Sequence, residues 1–364
     1  MRFHVAFLTA FAVSLTAAVA ALAQVTDVNK ATRDQINENT VFVAGGSLGA
    51  TYNSLANDIG IVTSDDKLRV VSVTTSTGVQ NVRDLVYLRS IDLAFTNVRV
   101  LNGFLASGEL GNDLKRQIVY IAPLTTEEAH VLVQPDINSI EELKGKRVSF
   151  HIAGSSSAMA GAYIFKALSI DVKVFNFPQP DAIEKMRQKE LDATVCICPK
   201  IVPAYASIRP ESGFKFVEVP YPQALEAELL PSRLTGEDYP TLIQKDKRIQ
   251  TVGMNTILVT LNWPKGSMRY NRNAKFVDAF FGKFPEFLKA PRQASWKTVN
   301  LAGTVPGWTR FAPAQEWLDR HREQTAAAMR TRFDQFLGEQ AKRGDNPADR
   351  ERMFREFQEW MRKN

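Results

Sequence analysis

Cysteine and histidine are scarce in this chain of 364 residues, with two of the first and four of the second. None stands at a C-x-x-C or H-x-x-x-H spacing, which argues against a structural or catalytic metal. Beyond residue 23 no apolar run approaches the roughly twenty residues that a membrane-spanning helix needs. No cysteine follows the N-terminal apolar segment, so there is no site for lipid attachment. Low-complexity linkers and internal repeats are also missing. The net charge of +6 comes from 45 basic and 39 acidic residues. That excess is not gathered into a lysine or arginine tract, so nucleic acid is excluded as a partner and only a slight preference for anions remains. Cys196 and Cys198 lie one residue apart in a Val/Ile-rich run. On a strand both point to the same face, where a disulfide would be strained, so we expect small apolar side chains in a core.

The beginning of the chain is a different matter. Arg2 leads into the apolar stretch Val5 to Leu22, which ends in Ala21-Leu22-Ala23. Residues 1–23 therefore read as a signal peptide cleaved before Gln24, with an uncleaved anchor as the alternative. The remaining chain, about 340 residues, is too long for one hydrophobic core and suits two lobes. Short β-rich runs alternate with helical patterns, the rhythm of a doubly wound parallel sheet. Val41–Ala44, Val70–Val73 and Ile91–Thr96 are expected strands, with helices over Tyr52–Ile59 and Val79–Leu88. Ile118–Leu124 and Ala129–Gln134 read as two further strands, with Pro123 marking a hinge between lobes. Val148–Ile152, Val172–Phe175 and Ala193–Ile197, with helices over Ala158–Leu168 and Asp181–Lys189, repeat the same plan.

The expected organisation is a first lobe over 24–124, a second lobe over 125–219, a return to the first over 220–289, and a helical extension over 290–364. Thr251–Leu261 is the late strand of that return. The phenylalanines of Phe276–Phe287 have the spacing of a helix facing a core. Two amphipathic helices follow, over Ala314–Gly338 and Ala348–Arg362, the second with Pro347 at its first position.

Three turns carry the chemistry. The first, Gly45-Gly-Ser-Leu-Gly-Ala-Thr-Tyr52, joins a strand to a helix, so its glycines and the helix start present backbone N–H groups to an anion or carboxylate. The spacing fits neither a dinucleotide nor a nucleotide triphosphate motif. Gly45-x-Ser47-x-Gly49 also matches a hydrolase nucleophile elbow, which would need His130, His151 or His321 as its base. Thr74-Thr-Ser-Thr-Gly78 and Gly154-Ser-Ser-Ser157 are hydroxyl-rich turns of the same kind, although their hydroxyls equally serve as helix caps. All three follow strands, at the edge where open α/β sheets bind ligands.

In order and spacing, Gly45–Tyr52, Ser76-Thr-Gly-Val-Gln-Asn-Val82, Ile91-Asp-Leu-Ala-Phe95, Ile140–Val148, Gly154–Ser157, Leu191-Asp-Ala193 and Thr251-Val-Gly253 resemble a TAXI-type solute-binding subunit of a TRAP transporter. The likeness spans roughly residues 40–262. It implies a type II periplasmic-binding fold of two α/β lobes joined by hinge strands, no cofactor and no catalysis. It also implies a periplasmic protein that holds a small organic acid or amino acid and has an integral membrane permease as its partner. Carried over by position, the candidate ligand contacts are Gly46, Ser47, Tyr52, Thr75, Ser76, Thr96, Asn97, Ser155, Ser156 and Ser157. Ala50 stands where the family commonly has glycine, and the Gly154 turn is richer in serine than usual. A receptor for an ABC importer or sensor kinase would share the fold. A hydrolase using Ser47, or a scaffold using the C-terminal helices, is the reading from another class.

Overall fold

The computed structural model describes residues 29–48, 50–322 and 331. The expected signal segment 1–23, the helix over 348–362 and most of the one over 314–338 lie outside the described residues. After a helix over 29–38 (α1), the first lobe runs β1 (Thr40–Ala44), α2 (Thr51–Thr63), β2 (Arg69–Val73), α3 (Gly78–Tyr87), β3 (Leu93–Asn97), α4 (Val98–Ser107) and the short α5 (Leu114–Gln117). One long strand, β4 (Ile118–Val133), then carries the chain across. The second lobe holds β5 (Arg147–Ser149), α6 (Ser156–Ala167), β6 (Lys173–Phe175), α7 (Gln179–Arg187), β7 (Ala193–Cys198), α8 (Pro203–Ala206), β8 (Lys215–Phe216) and β9 (Leu230–Thr235). A second long strand, β10 (Arg248–Leu261), leads back to α9 (Met268–Gly282), α10 (Phe284–Phe287) and α11 (Ala312–Arg320).

The strand order is β2-β1-β3-β10-β4-β7-β5-β6, with β8 beside β4 and β9 beside β10. Each half therefore places its second strand outermost, then its first, then its third, then a long strand shared by both. The parallel pairs β1/β2 and β1/β3 in one half match β5/β6 and β5/β7 in the other. This is the doubly wound two-lobed α/β class that the sequence implies. Local sequence explains the elements. Thr77 caps α3 by accepting from the Gln80 N–H, and Val79, Val82 and Leu85 are buried along one face of that helix. Each such side chain contributes about 1.5–3 kcal/mol by leaving water. Asn97 caps α4 in the same way, and that helix ends at Gly108, whose φ of 68° suits glycine.

Four differences from the sequence reading have physical causes. First, β4 is a single strand rather than two, because its residues pair continuously with one long partner or another. The ladder with β10 shifts register between Asn255 and Ile257, opposite Thr126 and Pro123, so a bulge takes up the bend that proline suggested. Second, the stretch after residue 220 stays in the second lobe. Leu225 and Leu229 join one apolar cluster of that lobe, and Leu234, Tyr239 and Ile243 join another. The return comes on β10, between Met254, which packs with the second lobe, and Ile257, which packs with the first. Third, α9 and α10 divide the single helix expected over Phe276–Phe287, with Pro285 opening the second piece. Fourth, Cys196 and Cys198 form a disulfide across Cα atoms 5.5 Å apart, a separation within the usual range, instead of remaining separate thiols.

The described part of the C-terminal extension belongs to the first lobe's core. Trp296 is fully buried beside Phe280 and Phe287. Its indole N–H donates to Asp58 of α2 at 2.9 Å, and the same carboxylate accepts from the Gln293 amide at 2.9 Å. Phe311 and Thr309 bond the backbone of Tyr120 on β4. Arg272 of α9 pairs with the buried Asp92 at the foot of β3. Together these contacts hold α2, β3 and β4 as one rigid frame.

Candidate functional site

The lobes meet where β4 and β10 cross. On β4 the change of lobe falls between Leu124, packed in the first core, and Ala129, packed in the second. Glu127 lies in that gap, 2% exposed. Its carboxylate accepts from Asn97 Nδ2 at 3.1 Å and from Thr256 Oγ1 at 2.9 Å. The Tyr52 hydroxyl lies beside it, near Thr256 and Ser156, buried and without a hydrogen bond of good geometry. Burial first, and then the Glu127 charge, hold the Tyr52 phenol well above its ordinary pKa. Burial likewise raises Glu127 to about 6, against the neutral Tyr52, Thr256 and Asn97 groups around it, which favour its ionised form.

Each member of this group is positioned by the fold. Tyr52 stands in the first turn of α2 and stacks on Phe95 with ring centroids 5.7 Å apart. Asn97 ends β3, and its Oδ1 caps α4 while its amide reaches Glu127. Ser156 opens α6 in the opposite lobe. A Cβ on Gly78 would come within 3.0 Å of the Tyr52 ring and 3.4 Å of Ser156 Oγ. Gly78 is therefore the close approach that lets the two lobes touch over Tyr52.

Beside this site a latch joins the lobes. Arg99 of α4 makes a two-pronged ion pair with Glu228 at 2.8 and 3.0 Å, and Asn102 donates to Glu228 at 3.1 Å. The Arg99 guanidinium also lies over the Tyr163 ring of α6, 4.8 Å from its centroid.

The ten residues expected from the sequence are not used alike. Tyr52 and Asn97 converge on Glu127, and Ser156 meets Tyr52 from the opposite lobe. Thr96 is buried with an unpaired hydroxyl at the end of β3, on the strand face away from Asn97. Gly46 is buried, and its carbonyl accepts from the Thr75 amide and from Asn53. The Thr75 hydroxyl donates to the Gly45 carbonyl and contacts Asn81. Ser47 is partly exposed and Ser76 exposed. Ser155 caps α6 through the Ala158 amide, and Ser157 accepts from the Ile197 amide at 2.8 Å. These two serines hold the second lobe's turn together, Ser155 as the helix cap and Ser157 by a bond to β7.

Several residues were not anticipated. Asn81, fully buried, donates to the carbonyls of Gly45 and Phe95 and so pins the first turn to β3. Glu127, Thr256 and the unpaired Thr125 hydroxyl line the crossing. The signal for them is Thr-Thr-Glu-Glu, four polar residues inside an otherwise apolar run. His151 has a left-handed backbone, φ 60°, and an unpaired buried Nδ1 at the end of β5 that faces the ligand edge of the sheet.

An open depression of about 1000 Å³ lies elsewhere, lined by Gln134, Arg147, Lys189, Asp192, Arg209 and Glu211 among others. It sits at the starting ends of β5 and β7, the wrong edge for an α/β ligand site, and Arg147 is already paired with Asp192. Among the described residues no cluster of acids, cysteines and histidines could hold a metal ion. No described helix is long and apolar enough to cross a membrane.

The model of the NMT1-like family matches residues 43–271, a span that takes in both crossings, the three turns and the latch. The chain belongs to the NMT1-like family. A search of curated proteins finds no match to it. Among solved structures, this NMT1-like chain is similar to a periplasmic transporter at 15% identity and a TM-score of 0.47, over 79% of this chain and 94% of that one. It is similar to the alkanesulfonate-binding protein SsuA from Xanthomonas axonopodis pv. citri bound to MOPS, at 17% and 0.42, over 84% and 95%. A third is a TctC solute-binding protein from Polaromonas, at 13% and 0.39, over 67% and 88%.

The hydrolase reading of Ser47 fails on its histidines. His130 is fully buried in the second lobe, where its Nδ1–H donates to the Glu128 carbonyl and its Nε2 accepts from the Tyr239 hydroxyl, each at 2.8 Å. His151 lies in the second lobe as well, and His321 stacks on Trp317.

Proposed function

We propose that the chain is the TAXI-type receptor of a TRAP transporter, exported by cleavage before Gln24, free in the periplasm, and delivering its solute to a membrane permease. The solute is a small polar organic acid or amino acid held between the lobes. The observation that carries this reading is the meeting of Ser156 from one lobe with Tyr52 and Gly78 from the other, directly over a buried polar group at the hinge. Closing the lobes there removes water, and hydrogen bonds made in the resulting low dielectric are stronger than in solution. Tyr52, Asn97 and Ser156 are the contacts proposed first. Gly46, Ser47, Thr75, Ser76 and Thr96 come second, and Ser155 and Ser157 act by holding Ser156 in place. No bond is made or broken, so release needs only reopening at the β4/β10 bulge.

Native mass spectrometry of the purified protein is the test. A retained small solute, lost when Tyr52→Ala and Ser156→Ala are combined, supports the reading. A protein that retains nothing and gives no calorimetric signal with small acids or amino acids overturns it. A mutant that lowers solute uptake into cells expressing a TRAP permease together with this protein would tie the receptor to that partner.

A further inference from the structure

We propose that Glu127 makes the cleft selective for a solute carrying a protonated nitrogen, and that a solute bearing acid groups alone is rejected. This rests on the solute-binding reading above and narrows it. Glu127 is buried where the lobes cross, and the groups that bond it, Asn97 and Thr256, are neutral, as is the Tyr52 phenol beside it. Among the described residues no lysine, arginine or histidine acts on it. Its sequence neighbour Glu128 points to the other face of β4, where Lys200 and Asp238 are the charges it meets. A buried carboxylate without a cation is an uncommon and costly arrangement.

An ionised carboxylate accepts about four hydrogen bonds, and here two are supplied by Asn97 and Thr256. An ammonium brings N–H donors and the compensating charge together. A second acid group brought to the same place would meet a like charge, which disfavours the ionised form of both. The Tyr52 hydroxyl marks the same place, since it is buried beside Glu127 without a partner of good geometry and lies near Ser156 of the opposite lobe. Closure therefore brings the second lobe down over the Tyr52 hydroxyl beside Glu127.

The experiment is calorimetry at pH 7.5 on the full protein with three matched pairs: L-glutamate and glutarate, L-alanine and propionate, putrescine and 1,4-butanediol. Within any pair that binds, the nitrogen-bearing member is expected to bind about tenfold tighter or more, the usual effect of one charge-assisted hydrogen bond. Glu127→Gln removes the difference. In the unaltered protein the affinity falls as pH is lowered through about 6, where Glu127 takes up a proton. That pH series serves on its own if the variant does not fold. Equal or tighter binding of the nitrogen-free member, or a pH-independent affinity, overturns the inference and leaves the solute-binding reading standing. If none of the six compounds binds, the solute retained on native mass spectrometry decides: a protonatable nitrogen in it supports the inference and its absence overturns it. Six silent compounds with nothing retained overturn the solute-binding reading itself.

Discussion

Replacing Glu228 by glutamine tests whether the Arg99–Glu228 pair governs closure or merely stabilises the fold. The pair spans the lobes, and its side chains are only 17% and 10% exposed, so it is formed in the closed state and exposed to water on opening. Removing the charge leaves Arg99 with its Tyr163 contact and a weaker, neutral partner. Hydrogen bonds to charged groups contribute about 1.5–3 kcal/mol. The loss is smaller than for a permanently buried pair, because opening lets Arg99 hydrate. A shift of roughly 2 kcal/mol moves the balance between closed and open forms by about thirtyfold. Small-angle scattering of the solute-free protein reads this directly, and Glu228→Gln should give the larger radius of gyration. Each lobe remains folded, so the thermal midpoint should hardly move. An unchanged radius together with a lower midpoint would refute the reasoning, since the pair would then be supporting the fold and not the closure.

Trp296→Ala empties a fully buried position and leaves Asp58 without its indole donor; a loss of about 3–5 kcal/mol is expected in urea unfolding. Gly253→Ala puts a Cβ within 2.8 Å of Thr126 Cγ2 and 3.2 Å of the Glu127 carbonyl, so about 1–3 kcal/mol of overpacking should appear in thermal melts, along with weaker solute binding. Burial raises Glu127 to about 6 and Glu128 to about 7, so as pH rises the unfolded chain releases these protons first. The stability they lend is complete below their ordinary value of 4.5 and is lost as pH climbs through about 7, while His130, lowered to about 4 by burial, costs stability as pH falls below 6.5. Glu128→Gln should accordingly stabilise the protein more at pH 8 than at pH 5, by on the order of 2 kcal/mol at pH 8, as read from urea unfolding at the two pH values. Equal gains at both pH values would count against a buried, perturbed carboxylate.

Much of the fold was legible because local signals agreed with one another. The strands β1, β2 and β7 carry β-branched runs, the helices α3, α4 and α6 open on Thr77, Asn97 and Ser155, and apolar periodicity marks the buried faces. The crossing was legible only in part. Pro123 lies at the register shift of β4 against β10, but a continuous strand with a bulge does not differ in composition from two strands with a break. The late return could not be read, since Leu225, Leu229 and Leu234 suit either core equally well. At the site, Tyr52, Asn97 and Ser156 stood at strand ends and helix starts, where turn chemistry announces itself. Glu127 and Thr256 sit mid-strand on segments 129 residues apart in sequence, and only the antiparallel register of β4 and β10 brings them together. The disulfide ran against the geometry of a regular strand, and it falls at the end of β7.

The most direct measurement is a crystal structure of the protein with its retained solute in place. The solute should lie between Tyr52, Asn97 and Glu127 of one lobe and Ser156 of the other, with both lobes closed on it. A solute seated in the depression near Arg147 and Arg209, or resting on one lobe while the other stands away, would contradict the two-lobed capture argued from the β4/β10 crossing.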